Sequence, residues 1–132
     1  MLDAAADYGT TLLCAEALGA MDALFSATLE YMKTRKQFGT PIGSFQAVQH
    51  RMADMYIHLE QARSMAMLAA ARMASMGSGG VEERRRVVSA AKVRIGHAAK
   101  FIGQNAIQLH GGMGVTDELP AAHHFKRLTT IE

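Results

Sequence analysis

The sequence has no tryptophan, one cysteine, two prolines and only 6% aromatic residues among its 132. The single thiol, Cys14, excludes an internal disulfide framework and suits a reducing cytoplasm. Two prolines exclude a polyproline segment, and the 12 glycines follow no period. Charge of either sign is sparse: 14 basic against 12 acidic side chains leave +2, too little to point to nucleic acid. Residues 1–66 carry five basic and seven acidic groups (−2) and residues 67–132 nine and five (+4). Most of that asymmetry is one run, Glu82-Glu83-Arg84-Arg85-Arg86, which reads as a solvated face. No uninterrupted apolar run approaches the ~18 residues of a membrane span. Asp3 and Asp7 stand where a signal peptide would carry positive charge, and Glu16 interrupts the apolar Leu12-Leu13-Cys14-Ala15. The expectation is a soluble chain that neither spans a membrane nor binds nucleic acid.

What is present is apolar and periodic. With 49% hydrophobic and 20% charged residues the chain can bury a core, and its length suits one domain, residues 1–132. Leu13, Ala17, Ala20, Leu24, Ala27 and Tyr31 recur in steps of three and four, which predicts a helix from about Ala4 to Lys36. Gly39, Pro41 and Gly43 stop it. A second stripe runs Phe45, Val48, Met52, Met55, Leu59, Ala62, Ala66, Ala69 and Met73, with Ser44 placed to cap its first turn and Gly77-Ser78-Gly79-Gly80 to end it. The third, Val88, Ala91, Ile95, Ala98, Ile102 and Leu109, predicts a helix from about Glu82 to His110, closed by Gly111-Gly112-Met113-Gly114. Glu82 and Glu83 favour its start, where the helix dipole attracts negative charge. A short fourth helix follows from about Pro120 to Thr130. Nothing alternates with period two, so no strand is expected. Three long helices and a short one, joined by short connections, predict an all-α antiparallel four-helix bundle.

Few residues stand out for chemistry. Bundle metal sites use Glu-x-x-His pairs, which put both ligands on one helix face, and no acidic residue here has a histidine three positions later. The six histidines therefore read as surface and interface residues, with no metal site. Glu16 lies in an apolar stretch and is either paired with an arginine of a neighbouring helix or a functional carboxylate. Arg35-Lys36 beside Gly39 is either an anion grip or a cationic helix end. Gly111-Gly112-Met113-Gly114 either lets backbone approach a phosphate or simply stops a helix. The ten methionines sit mostly on the stripes, as flexible core filler.

Two longer segments combine these signals. Glu30-Tyr31-Met32-Lys33-Thr34-Arg35-Lys36-Gln37-Phe38-Gly39-Thr40-Pro41-Ile42-Gly43-Ser44-Phe45-Gln46, continued by Ala53-Asp54-Met55 and Glu60-Gln61-Ala62-Arg63, resembles a signature of the acyl-CoA dehydrogenases. Ala106-Ile107-Gln108-Leu109-His110-Gly111-Gly112-Met113-Gly114-Val115-Thr116, then Glu118-Leu119-Pro120, is similar to the second signature of that family. The resemblance is to the C-terminal helical domain only; members also have an N-terminal helical domain and a middle β domain, which this sequence does not contain. It implies an FAD oxidoreductase that converts an acyl-CoA thioester to the 2,3-enoyl-CoA, a glutamate taking the α proton while flavin accepts the β hydride.

By the same resemblance Arg35 would hold the FAD pyrophosphate, with Phe38 and Gln46 along the adenosine half. Gln108, Leu109, His110, Gly111 and Gly112 would approach that end through side chain and backbone. In the family these contacts reach a FAD held mainly by a neighbouring subunit, which implies a homo-oligomer, normally a tetramer. The usual base position falls just past Glu132, so Glu132 is not given the role. In other members the base aligns with Gly9, and Glu16, two turns along the same face, is the internal candidate. The expected activity belongs to the complete enzyme, with this chain inactive alone. The rival from another class is a free-standing helical dimerisation module without flavin.

Overall fold

Long stretches of Ala, Leu, Met and other strong helix formers, broken at only a few Gly- and Pro-containing points, dictate helices joined by tight connections. The computed structural model describes residues 2–75, 80–115 and 120–131. Helix α1 runs Leu2–Thr34, α2 Gln46–Ala74, α3 Val81–His110 and α4 Pro120–Ile131. Helices α1 and α3 each pack against all three others, giving the expected antiparallel bundle. At ~1.5 Å per residue the 33 residues of α1 extend about 50 Å. The side chains fully buried between the helices are large and apolar: Met21, Leu24 and Met32 from α1, Met55 and Leu59 from α2, Ile95 and Ile102 from α3, and Leu128 from α4.

The stripes of α2 and α3 are buried as expected, apart from the half-buried Val48 and Leu109 and from Phe45, which is 39% exposed. The stripe of α1 needs correction. Its buried line is Cys14, Ala17, Met21, Leu24, Thr28 and Met32, whereas Leu13 is 39% exposed and Ala27 is exposed. Apolar residues surround most of this helix, so hydrophobicity alone does not select a face. Thr28 enters the core because its hydroxyl donates to the Leu24 carbonyl at 2.8 Å. Averaged over 18 residues, α1 also reaches a mean hydropathy of 1.5, long and apolar enough by composition to cross a membrane, which counting uninterrupted runs had passed over. In the bundle it is the helix that contacts α2, α3 and α4 together.

Other corrections are local. Helix α1 stops at Thr34, and the chain forms a two-stranded antiparallel ribbon, β1 Lys36–Gln37 paired with β2 Thr40–Pro41. Strands of two residues are too short for alternation to reveal. Phe38 (φ 54°) and Gly39 (φ 78°) both occupy left-handed backbone, as a tight two-residue hairpin turn requires. Ser44 does not cap α2; its hydroxyl bonds Thr40 and the Pro41 carbonyl within a 3₁₀ turn, Ile42–Ser44. The N-cap is Phe45, without a side-chain cap, and Gln49 Nε2 reaches back to the Gly43 carbonyl at 3.0 Å. The charged run at the start of α3 is not simply solvated. Arg84 pairs with the buried Asp7 at 2.9 Å, Arg85 with Asp3 and Glu83 with Arg72, tying α3 to α1 and α2. Gly77, Ser78 and Gly79, and Thr116, Glu118, Leu119 and Glu132, lie outside the described residues.

Candidate functional site

The end of α1, the β1–β2 ribbon, the start of α2 and the end of α3 converge on an open cleft of about 640 Å³. Tyr31, Met32 and Arg35 enter it from α1 and the residue after it, Gln37 and Phe38 from the ribbon. Phe45, Val48 and Arg51 form the α2 side. Gln108, Leu109 and His110 come from the last turn of α3, followed by Gly111 and Gly112. Seven of the eight cofactor candidates therefore meet here although they come from two segments far apart in the chain: Arg35, Phe38, Gln108, Leu109, His110, Gly111 and Gly112. Gln46 does not line the cleft; it is the exposed first residue of α2. Arg51 does line it and went unnoticed in the sequence, where it belongs to neither signature. Its one signal is a spacing of three from Val48, which puts both on one helix face.

The walls are held by specific contacts. His110 is 3% exposed and stacks on Tyr31, with ring centroids 4.6 Å apart. Its Nδ1 faces the Ala106 carbonyl at 2.8 Å, so Nδ1 carries the hydrogen and donates. Gly111 ends α3 at φ 63°, a left-handed value that glycine adopts without strain, so the glycine run both stops the helix and lines the cleft. Phe38 projects at the rim, 92% exposed, with its ring edge-on to Phe45 at 6.2 Å. Among the described residues no side-chain hydrogen bond or ion pair engages Arg35 or Arg51, and no acidic residue lines the cleft. Two guanidiniums, an aromatic rim and exposed glycine backbone suit an anionic ligand with a planar group.

The model of the acyl-CoA dehydrogenase C-terminal domain matches residues 3–132. The chain belongs to this family. The acyl-CoA dehydrogenase IpdE2 of Mycobacterium tuberculosis is 39% identical over 122 residues, 92% of this chain and 35% of that protein. The mitochondrial short-chain specific acyl-CoA dehydrogenase of Sus scrofa is 33% identical over 127 residues, 95% of this chain and 30% of that protein. Butyryl-CoA dehydrogenase from Megasphaera elsdenii superposes with a TM-score of 0.86 at 30% identity, covering 95% of this chain and 31% of that one. PigA with FAD and proline superposes with 0.83 at 32% identity, covering 95% and 31%. The chain thus spans about a third of the length of the relatives it matches.

Glu16 lies apart from the cleft of this acyl-CoA dehydrogenase domain, where α4 meets α1. Arg127 donates to it twice, Nε to Oε1 at 2.5 Å and Nη2 to Oε2 at 2.8 Å. That guanidinium holds the Glu16 carboxyl below its usual range, and the carboxylate raises Arg127 in turn. The arrangement is the inter-helix pair that was one of the two readings of Glu16. Among the described residues no three His, Cys, Asp or Glu side chains gather where a metal could sit. His110 is buried, and His58 is half-buried against Phe101, so these two are packing residues of the bundle and not surface ones.

Proposed function

We propose that this chain acts as the C-terminal helical domain of an FAD-dependent acyl-CoA dehydrogenase, supplying part of a flavin site and an oligomer surface. The observation that carries this reading is the meeting of both signature segments in one cleft with two guanidiniums that no described side chain pairs. The residues present fit such a group: Arg35 for a phosphate, the Phe38 ring beside adenosine, and the Gly111–Gly112 backbone for close approach. Gln46, at the start of α2, would reach the adenosine half only from outside the cleft. When bound in the complete enzyme, FAD supplies the hydride acceptor that converts an acyl-CoA to the 2,3-enoyl-CoA. The work of this chain's own residues is to bind and orient, and Arg35 neutralises phosphate charge at the cleft mouth. In an oligomer of identical subunits the flavin gripped here would be held mainly by the neighbour. Exposed apolar side chains such as Tyr8, Leu12, Ile57 and Met67 support a self-associating surface. A cytoplasmic location fits the single, buried Cys14.

The residue equivalent to Arg35 can be tested in a full-length relative. Its replacement by alanine removes a charge-assisted phosphate contact worth roughly 1.5–3 kcal/mol, so flavin should be lost on dilution and dialysis. Retention of flavin at wild-type occupancy overturns the assignment. A relative that self-associates through this domain yet takes up no flavin would favour the free-standing interaction module.

A further inference from the structure

Helix α4 is short and thinly held. Of its 12 residues Ala121, Ala122, Leu128 and Ile131 are buried, and the two alanines have little apolar area to hide. Of the large, fully buried side chains among the described residues, Leu128 alone comes from α4; the others belong to the three long helices. A helix of this length is marginal in water unless packing supports it. Its seam with α3 is incompletely filled. Phe125 rests over Gly103, and beside them a depression of about 180 Å³ opens between Ala99, Lys100 and Gln104 of α3 and Phe125 and Thr129 of α4.

Two polar contacts fasten the last turn of α4. Arg127 forks onto Glu16 of α1, and one turn further on Lys92 Nζ of α3 donates to the Ile131 carbonyl at 2.6 Å. Cys14, two residues before Glu16, is fully buried. Burial pushes its thiol up, and the Lys92 ammonium pulls the other way. Lys92 therefore reaches both the thiol and the end of α4, which puts Cys14 beneath the fastened turn.

We propose that α4 is a strap, which leaves the groove between α1 and α3 as one unit while the three long helices stay folded, and that Cys14 is the core side chain it uncovers. Segments that open below the global unfolding free energy are those with few buried apolar contacts, and α4 is the element of this bundle that meets the description. Opening gives up the Leu128 and Ile131 burial, the Glu16–Arg127 fork and the Lys92–Ile131 bond together, so the unit moves as a whole. It also changes the chemistry of the thiol. Covered, Cys14 is inert; uncovered beside an ammonium group, its thiolate is favoured and it becomes a nucleophile. The device does not depend on what the cleft at the other signature segments binds.

The test is the reaction of the 132-residue chain with dithiobis-nitrobenzoate, an aryl disulfide. The Cys14 thiolate attacks one sulfur, forms the mixed disulfide and releases the thionitrobenzoate anion, which is read by absorbance. Hydrogen exchange followed by mass spectrometry reports the amides of α4 and of α3 in parallel. Labelling should be nearly independent of urea well below the unfolding midpoint, and α4 amides should exchange before those of α3. Arg127→Gln should speed both about two- to fivefold, and Leu128→Ala more than tenfold. Arg63→Gln, which breaks the α1–α2 pair with Asp22, should change neither, and circular dichroism should show that each variant is folded. Labelling that rises with urea as steeply as global unfolding, or α4 amides that exchange only together with those of α3, overturns the strap. Early exchange of α4 with a Cys14 that reacts only on global unfolding overturns its cover over the thiol. Arg127→Gln without effect on either rate overturns the fastening role of the fork.

Discussion

His110 lies against Tyr31 with ring planes tilted by 28°, so the last residue of α3 rests on the last turn of α1. Each residue belongs to a different signature segment, and their contact brings Arg35 within one cleft of Gln108 and Gly111. A ring pair of this kind contributes about 0.5–1.5 kcal/mol beyond the area it buries.

His110→Ala should therefore destabilise the bundle by about 2–4 kcal/mol, the lost stack adding to the cavity left by a buried ring. Tyr31→Phe keeps the stack and should lie close to wild type. Urea unfolding followed by circular dichroism measures both. An alanine variant as stable as wild type would mean that the stack does not hold the two helix ends together.

Helix α4 approaches α3 through a glycine. A Cβ placed on Gly103 would lie 2.8 Å from Cδ2 of Phe125, closer than carbon atoms tolerate. Gly103→Ala should cost about 1–3 kcal/mol, although alanine favours helix, because the half-buried ring must move. Adding Phe125→Ala should recover part of the loss, a coupling that a double-mutant cycle reads directly. Strictly additive effects would remove the steric explanation.

The bundle is also expected to lose stability in mild acid through His58. Its ring stacks on Phe101 at 4.1 Å, and its Nδ1 accepts from Arg94 at 3.0 Å. Burial first, then the Arg94 charge, push its pKa below the ordinary 6.5, while Asp54 opposes them weakly. A histidine that resists protonation only when folded adds no penalty above about pH 6.5. As pH falls below that value the unfolded chain takes up the proton first, and stability drops. His58→Gln should flatten the difference in melting temperature between pH 7.5 and pH 5.5, and an unchanged slope would exclude this residue as the cause.

Legibility in the sequence followed physical distinctiveness. The α2 and α3 stripes were readable because Met52, Met55, Leu59, Ile95 and Ile102 recur at helical spacing between more polar residues, whereas α1 carries apolar residues on most of its faces. The ribbon at Lys36–Pro41 was hidden by its brevity, and its turn places a phenylalanine in left-handed backbone that sequence rules reserve for Gly and Asn. Most of the cleft was legible because Arg35, Phe38 and Gln108–Gly112 lie in the two contiguous signatures. Arg51 was not, since membership of the site comes from the way α2 packs and from the lack, among the described residues, of any partner for its charge. The Glu16 pair was foreseen in kind but not in identity, because Arg127 is 111 residues away and only the docking of α4 brings it near.

The last expectation is that these 132 residues alone do not dehydrogenate an acyl-CoA, and that Glu16→Gln changes nothing in such an assay. The cleft is open and, among the described residues, provides no enclosed apolar pocket for a flavin ring. Without one, no group here holds the α carbon of a thioester near a base, and the proximity contribution to the rate is forfeited. Glu16 is outside the cleft lining, and its carboxylate already accepts both donors of Arg127. A base so engaged, its pKa pulled below the usual range, is a weaker proton acceptor than a desolvated one. Purified protein with excess FAD and a panel of acyl-CoA thioesters, followed anaerobically at the flavin absorbance, should show no substrate-dependent bleaching. Bleaching by the wild type that Glu16→Gln abolishes would make Glu16 the base, and would require Arg127 to release it when substrate arrives.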